Sequence, residues 1–165
     1  MEKNKIKIKN IKSFNKKNKY NNIINCKIGK NFKFVEPINL FGCKIGNDVF
    51  IGPFVEICKG VVIKNSTRIS SHSFICELVT IGNNCFIGHG VMFTNDLFKK
   101  GNLGGNVKNW HKTVIEDNVL IGSNATILPV KIVSGSVVGA GSVVTKNCNI
   151  KAIYAGNPAK LIRKL

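Results

Sequence analysis

The sequence carries a large apolar residue at every sixth position over much of its length. In its longest unbroken run, the residue two places before each of these anchors is small or β-branched. Because side chains of a strand alternate between two faces, an anchor and the residue two places before it point the same way. The repeat therefore predicts short strands with one inward face, separated by turns. The anchors of this run are Ile45, Ile51, Ile57, Ile63, Ile69, Ile75, Ile81, Ile87 and Phe93.

Three six-residue steps close a coil of about 18 residues, and stacked coils bury one continuous apolar column. Glycine often follows the anchor, as at Gly88, where the chain has to turn sharply. The sequence thus predicts an all-β fold, a parallel β-helix solenoid of hexapeptide repeats over residues 26–150. Ile51, Ile69 and Ile87 are one coil apart and are predicted to lie in one buried column.

The beginning of the chain is strongly basic. Residues 1–33 hold eleven lysines against one glutamate, which is +10 of the formal net charge of +17. We interpret residues 1–25 as a basic N-terminal cap or arm, which is either a solvated face or a contact for an anionic partner. The remaining charge is spread along the chain without the interleaved arginine and aromatic residues that bind single strands. Nucleic acid is therefore not an expected partner.

Composition also bears on where such a chain would work. No segment approaches the roughly 20 consecutive apolar residues of a membrane helix, and the basic beginning lacks the apolar stretch of a signal peptide. These features favour a cytoplasmic protein that makes no membrane contact and keeps its thiols reduced. Four of the six cysteines fall in inward slots and are predicted to be structural. They are Cys26, Cys43, Cys85 and Cys148.

Residues 94–112 break the six-residue period, which resumes at Ile115. The segment contains Asp96, the only tryptophan, Trp110, and His111. Long irregular segments inside a compact fold are usually either functional or disordered. We predict an active-site or partner-clasping loop here, and the alternative is a tolerated insertion.

The last residues, 151–165, leave the repeat. They contain an Asn-Pro turn followed by apolar residues in an amphipathic pattern, which predicts a short C-terminal capping helix. The apolar residues are Ala159, Leu161, Ile162 and Leu165.

The repeat also predicts which polar side chains point outward. His72, Glu77, His89 and Asn95 all fall on outward positions, and the predicted loop begins beside Asn95. Glu77 and Asn95 are separated by one full coil of the repeat and should stack on adjacent coils. His72 and His89 are separated by one position less and should be near neighbours at another corner. Four unrelated surface residues are the alternative. A zinc site on three histidines is not expected, because the third, His111, lies in the irregular loop.

These features resemble the hexapeptide-repeat acyltransferases, whose fold is a left-handed parallel β-helix. The resemblance covers about residues 26–165. Within it, the FTND stretch followed by a loop and a tryptophan is similar to the subgroup that N-acetylates 3-amino sugars on nucleotides. The motifs that carry it are SHSFICE (71–77), IGHGVMFTND (87–96), W-x-x-TVIEDNVLIGSNATILP (110–129), VVGAGSVVTK (137–146) and YAGNPAKLIRK (154–164).

The resemblance implies an acetyl-CoA-dependent N-acetyltransferase without a metal. Its substrate would be a nucleotide-linked amino sugar, such as a dTDP-3-amino-3,6-dideoxyhexose, used for surface polysaccharide and lipopolysaccharide synthesis. It also implies a homotrimer with acetyl-CoA in a cleft between two β-helices. Two alternatives stay open: an O-acetyltransferase acting on a sugar or another hydroxyl, and a non-enzymatic β-helical binding or scaffold protein.

We assign four residues to the predicted catalytic site. His89 and His72 are the candidate bases, because imidazole exchanges protons near neutral pH. Asn95 would accept a hydrogen bond from the substrate amine or hold a sugar hydroxyl, and Glu77 lies beside it.

Further residues are expected to bind substrate and cofactor. Asp96 and Trp110 in the loop would contact the substrate. The resemblance places acetyl-CoA along the C-terminal coils and its phosphates near basic residues of the tail. The cofactor-binding residues so implied are Ser123, Ala125, Gly141, Ser142, Lys146, Lys160 and Arg163.

Overall fold

A computed structural model describes residues 13–17, 22–99, 101 and 106–165, with backbone alone for 13–17. These ranges form strands and a three-residue 3-10 helix, Val107–Asn109, so no helix in them could cross a membrane. In chain order the strands are β1 (Ser13–Lys17), β2 (Asn22–Ile28), β3 (Lys33–Phe34), β4 (Ile38–Phe41), β5 (Lys44–Ile45), β6 (Phe50–Ile51), β7 (Val55–Ile57), β8 (Val62–Ile63), β9 (Arg68–Ile69), β10 (Phe74–Ile75), β11 (Val79–Ile81), β12 (Phe86–Ile87), β13 (Met92–Phe93), β14 (Thr113–Ile115), β15 (Leu120–Ile121), β16 (Thr126–Ile127), β17 (Lys131–Ile132), β18 (Val137–Val138), β19 (Val143–Val144), β20 (Ala152–Gly156) and β21 (Ala159–Lys164).

From β2 to β19 the strands wind into a solenoid with three faces. A strand pairs in parallel with the strand one coil further along, which is three strands later in the chain. The first face contains β5, β8, β11, β14 and β17; the second contains β3, β6, β9, β12, β15 and β18; the third contains β4, β7, β10, β13, β16 and β19. The longer β2 begins two of the faces, because it pairs with β4 through its first half and with β5 through its second. The predicted parallel β-helix of hexapeptide repeats, of the left-handed class, is thereby confirmed.

The anchors form the core of the solenoid. On the second face Ile51 is in register with Ile69, and Ile69 with Ile87, and all three have no exposed surface. The predicted column is therefore confirmed. The six cysteines are buried free thiols, including the four that were predicted to point inward.

The corner between the first and second faces is held by a ladder of amide and carboxylate side chains, which we call the asparagine corner. The backbone N–H of Asn47 donates to Oδ1 of Asn65 over 2.8 Å, and that of Asn65 to Oδ1 of Asn83 over 3.1 Å. The N–H of Asn83 donates in turn to Oδ1 of Asp117 over 2.7 Å. Each side-chain oxygen thus accepts a hydrogen bond from a backbone N–H that, at the turn, has no partner in the β-sheet.

The predicted C-terminal helix is wrong. Residues 159–164 form β21, which pairs antiparallel with β20, and β20 pairs in parallel with β18 on the second face. Leu161, Ile162 and Leu165 are 43%, 61% and 48% exposed. Because a helix here would have no core to cover its apolar side, the tail instead pairs with the backbone of β20.

At the other end, β1 pairs antiparallel with β2, and Phe14 lies opposite Cys26. Ile23 of β2 is fully buried beside Leu40 and belongs to the core. Most of the basic segment 1–25 lies outside the described residues, so its role as a cap or arm stays a prediction.

Candidate active site at two corners of the solenoid

The corner between the second and third faces carries both predicted histidines of the coils, and we call it the histidine corner. Nδ1 of His89 lies 2.8 Å from Oγ of Ser71, its neighbour one coil below. The backbone N–H of His89 donates to Oγ of Ser123 over 3.2 Å, and the N–H of Asn124 donates to the His89 carbonyl over 2.7 Å. His89 is thus fixed from both neighbouring coils, and the Ser71 contact occupies Nδ1 and leaves Nε2 for a ligand.

His72 lies at the same corner but does not hydrogen-bond to His89 in the structure. Its ring stacks on Phe54, with centroids 4.7 Å apart and ring planes 26° from parallel. Ile69 pairs with Ile87, so the coil here is made of complete six-residue steps with none shortened. Ser71 precedes His89 by this same full coil and is therefore its true neighbour.

The corner between the third and first faces carries Glu77 and Asn95, and we call it the loop corner. Nδ2 of Asn95 donates to Oε2 of Glu77 over 3.4 Å, so the predicted stacking of these two residues is confirmed. The N–H of His111 donates to the Asn95 carbonyl over 2.8 Å and closes the base of the excursion 94–112. Oδ1 of Asp96 accepts from the N–H of Phe98 over 2.9 Å, which makes Asp96 a turn residue within the loop.

The four predicted catalytic residues are thus divided between two corners. One six-residue step of chain leads from His89 to Asn95, about 20 Å when extended, and it runs along the third face. Within a single chain the two sets therefore lie at opposite edges of this face.

The predicted cofactor residues are also distributed along the corners. The N–H of Gly141 donates to the Ser123 carbonyl over 2.8 Å, so both continue the row of the histidine corner. Ala125 and Ser142 have no exposed surface, and Oγ of Ser142 accepts from the N–H of Gly156 over 3.1 Å. Their carbonyls also accept the backbone N–H groups of Met92 and Thr126, so neither residue presents a surface to a ligand within one chain.

The three basic residues predicted to bind the cofactor lie at different places on the solenoid. Lys146 is exposed at the loop corner, after the anchor Val144. Lys160 and Arg163 are exposed on β21, opposite Ala155 and Ile153. Lys160 thus lies near the end of the histidine corner, and Arg163 borders the second face.

Trp110 is the aromatic member of the two loop residues that were predicted to contact the substrate. Trp110 is half-buried directly after the helix Val107–Asn109, and its backbone N–H donates to the Val107 carbonyl over 3.3 Å. His111 is exposed beside it.

Glycines allow the coils of the histidine corner to approach closely. A Cβ atom at Gly88 would lie 2.6 Å from the backbone nitrogen of Ser123, and one at Gly122 would collide with the backbone nitrogen of Ala140. Real Cβ atoms do not come this close to backbone, so the spacing that seats His89 on Ser123 depends on glycine at these positions.

The thiols next to the loop corner are not nucleophiles. Burial, with the nearby Glu77 charge, raises the pKa of Cys58 and of Cys76 to about 12. Both thiols are therefore neutral near pH 7. Among the residues that the structure describes, no three His, Cys, Asp or Glu side chains converge as metal ligands.

Two residues of the histidine corner escaped the sequence analysis, Ser71 and Phe54. The signal for Ser71 was its spacing of one full coil from His89. The signal for Phe54 was a bulky residue at a turn position that in most other coils holds glycine, asparagine, aspartate or serine.

Comparison with known proteins assigns the class of this fold. The description "Bacterial transferase hexapeptide (six repeats)" applies to a family whose profile matches residues 42–77. A second profile, "Hexapeptide repeat of succinyl-transferase", matches residues 78–92 and 112–146. The chain therefore belongs to the hexapeptide-repeat family of acyltransferases.

Relatives of known name share this repeat. The bifunctional protein GlmU of Thermotoga petrophila is 31% identical over 152 residues, which cover 86% of this chain and 34% of GlmU. GlmU of Thermodesulfovibrio yellowstonii is 41% identical over 124 residues, covering 73% of this chain and 23% of that protein. The chain thus spans about a third or less of the length of these curated relatives.

Solved structures with the same fold include enzymes of both acyl-acceptor types. A variant of AntD, an N-acyltransferase from Bacillus cereus in complex with dTDP and coenzyme A, has a TM-score of 0.68 at 23% identity and covers 83% of each chain. The polysialic acid O-acetyltransferase OatWY has a TM-score of 0.60 at 26% identity, covering 86% of this chain and 74% of its own. PerB from Caulobacter crescentus, in complex with coenzyme A and GDP-perosamine, has a TM-score of 0.59 at 18% identity, covering 84% and 56%.

Proposed function

We propose that this chain transfers an acetyl group from acetyl-CoA to the amino group of a nucleotide-linked amino sugar. The observation that carries the proposal is the histidine corner, where His89 is anchored by Ser71 and Ser123 with Nε2 left for a ligand. Neighbours of the same fold were crystallised with coenzyme A and with dTDP or GDP-perosamine, which supports both ligands. A cytoplasmic enzyme of surface polysaccharide synthesis fits these substrates.

The chemistry is attack of a neutral amine on a thioester. The amine lone pair forms a C–N bond to the carbonyl carbon, and the tetrahedral intermediate collapses by breaking the C–S bond. His89 accepts the amine proton at Nε2 and passes it to the departing coenzyme A thiolate, so the products are the amide and the free thiol. This role requires the ring proton of the neutral imidazole on Nδ1, from which it can donate to Oγ of Ser71.

We further propose a homotrimer in which the site lies between two copies. Within one chain, His89 and the pair Glu77–Asn95 lie at opposite edges of the third face. An arrangement around a three-fold axis places one corner of each copy against a different corner of the next. The loop 94–112 would then bring Asp96 and Trp110 to a substrate bound at the neighbouring copy's histidine corner.

Acetyl-CoA would run along the C-terminal coils in this arrangement. Ser123 and Gly141 border the proposed path directly, whereas Ala125 and Ser142 are buried behind it and support the coils that carry it. The cations of Lys146, Lys160 and Arg163 would meet the coenzyme A phosphates.

An O-acetyltransferase is the second candidate. OatWY, with the same fold and 26% identity, is an O-acetyltransferase, and a hydroxyl needs stronger base assistance than an amine. The two candidates differ in how far they depend on His89, since a neutral amine is already a good nucleophile.

The test is acetyl-CoA consumption across matched pairs of acceptors, each a nucleotide-linked sugar with an amine or a hydroxyl at the same carbon. We expect turnover with the amines and about 10²–10⁴-fold less with His89→Asn, the usual range for general base catalysis. Turnover with the hydroxyl sugars alone would transfer the assignment to the O-acetyltransferase. No turnover with either series, in a protein that sediments as a folded oligomer, would favour a binding or scaffold role.

A further inference from the structure

The corners of the solenoid require residues in the left-handed conformation. Glycine, asparagine, aspartate and serine occupy most of these positions, as at Asp48, Asn84 and Asn118, with φ of 58°, 54° and 60°. Asparagine and aspartate tolerate this conformation, whereas a bulky side chain is strained in it. The exceptions in the coils of the described chain are Phe54, His72 and Leu78.

At Phe54 the backbone strain is not offset by burial of the side chain. Its φ is 60°, and its side chain is 57% exposed, so the ring contributes little to the core. The ring instead stacks on His72, the next strained residue of the same corner, with centroids 4.7 Å apart. Backbone strain that burial does not explain is typical of functional positions.

The stacked pair lies directly below the proposed reaction centre. Phe54 belongs to the coil before Ser71 and His72, and His89 belongs to the coil after them. Coils repeat at the strand spacing of about 4.8 Å, so Phe54 lies about 10 Å from His89 along the corner. That separation is comparable to the reach of a diphosphate and a sugar between a nucleobase and a reacting group.

We propose that Phe54 and His72 form a stacking platform for the nucleobase of the nucleotide-linked acceptor, whose sugar then extends toward His89. The proposal rests on the proposed function. Aromatic side chains stack on nucleobases without selecting a particular base, because every base presents a planar face. The platform therefore accounts for affinity for a nucleotide and leaves the choice of base open.

The experiment measures nucleotide binding by calorimetry, without turnover, for the full chain and three variants. The probes are dTDP, UDP and inorganic pyrophosphate, which lacks a base. Phe54→Asn should weaken dTDP and UDP about tenfold or more and leave pyrophosphate unchanged, whereas Phe54→Tyr should bind like the native protein. Leu78→Asn, which relieves the same backbone strain at the loop corner, is the matched control and should bind dTDP normally.

Stability separates the platform from a packing role. Because asparagine suits the left-handed turn, Phe54→Asn should keep or raise Tm while it loses nucleotide affinity. A lower Tm, or a smaller sedimentation coefficient, would show that Phe54 packs within the chain or against a second copy and would overturn the platform. Unchanged dTDP affinity in Phe54→Asn, or no binding of dTDP or UDP by the native protein, would also overturn it.

The two proposals can fail separately. Nucleotide binding that depends on Phe54, without acetyl transfer to any nucleotide-linked sugar, would defeat the proposed function and leave the platform. Acetyl transfer with an unchanged KM for the nucleotide-linked sugar in Phe54→Asn would support the proposed function and defeat the platform.

Discussion

The asparagine corner and the histidine corner flank the same second face and make the same left-handed turn, yet they carry different chemistry. At the asparagine corner, Asn65 and Asn83 each accept a backbone N–H from the coil below, and their polar groups are consumed by the fold. At the histidine corner, Phe54 and His72 stack at the surface, and His89 keeps one ring nitrogen for a ligand. The two corners have the same backbone conformation but different side chains. The comparison therefore distinguishes the asparagines, which the fold requires, from Phe54, His72 and His89, which the fold does not require.

The largest expected effect lies at the histidine corner. His89→Asn should lower kcat about 10²–10⁴-fold, because it removes the proposed base, while Tm stays close to the native value for an exposed side chain. Steady-state kinetics and thermal unfolding of the same preparation measure both. His111→Asn in the excursion is the control and should retain most of the activity. A native kcat in His89→Asn would place the chemistry on other residues, and His72 and Glu77 would be the next candidates.

The shared second face should behave differently from either corner. Ile69→Ala should lower the free energy of unfolding by about 2–5 kcal/mol, because it leaves a cavity in a column with no exposed surface. Denaturant unfolding at equilibrium measures it. A loss well under about 1 kcal/mol would contradict tight packing of Ile69 between Ile51 and Ile87.

The loop corner should resemble the histidine corner rather than the asparagine corner. Asn95→Ala should lower kcat and kcat/KM about tenfold, the equivalent of about 1.4 kcal/mol, if its side chain acts mainly in the transition state. Tm should change little, since the side chain makes one long contact to Glu77, of 3.4 Å. A lower Tm with native kinetics would make the residue a clasp for the loop and nothing more.

The asparagine corner should give the opposite pattern to His89. Asn65→Ala removes the acceptor for the Asn47 N–H and should cost about 1 kcal/mol of stability. Acetyl transfer at saturating substrate should remain native, because this corner lies across the second face from the proposed site. A large loss of kcat with unchanged stability in this variant would contradict the division between the two corners.

The smallest effect concerns acid stability at the asparagine corner. Hydrogen bonds from the backbone and side chain of Asn83 hold the pKa of Asp117 below its ordinary value. Its contribution to stability is therefore present above the unfolded pKa and is lost as pH falls through the folded pKa. Asp117→Asn should flatten part of the decline in Tm between about pH 5 and pH 2. Part of the decline in Tm that remains in Asp117→Asn comes from Glu116, because Lys131 lowers the pKa of that carboxyl. Glu116→Gln should remove this contribution.

The two ends of the chain show where sequence reasoning succeeded and where it failed. The six-residue period predicted the buried column of Ile51, Ile69 and Ile87, because each anchor repeats the same local constraint. It did not predict that the tail would form β21, because the apolar pattern of 159–165 fits either a helix or a strand. The open edge of β20 decided between them, and that edge exists only in the assembled solenoid.

The candidate site also has features that the sequence predicted and features that it did not. Periodicity alone established that His72, Glu77, His89 and Asn95 point outward, since inward and outward positions alternate along every short strand. Which outward residues touch depends on the length of each coil. The strand register pairs Ile28 with Ile45 but Ile69 with Ile87, so the earlier coil is one residue shorter than the later one.

The sequence by itself therefore determined the solenoid, its core and the outward set of polar residues. Only the tertiary structure decided that Ser71, and not His72, hydrogen-bonds to His89. The physical reason is that a side chain's direction follows from the local pleat, whereas its neighbours follow from the register between coils. That register is set by hydrogen bonds between residues that lie about a whole coil apart in the chain.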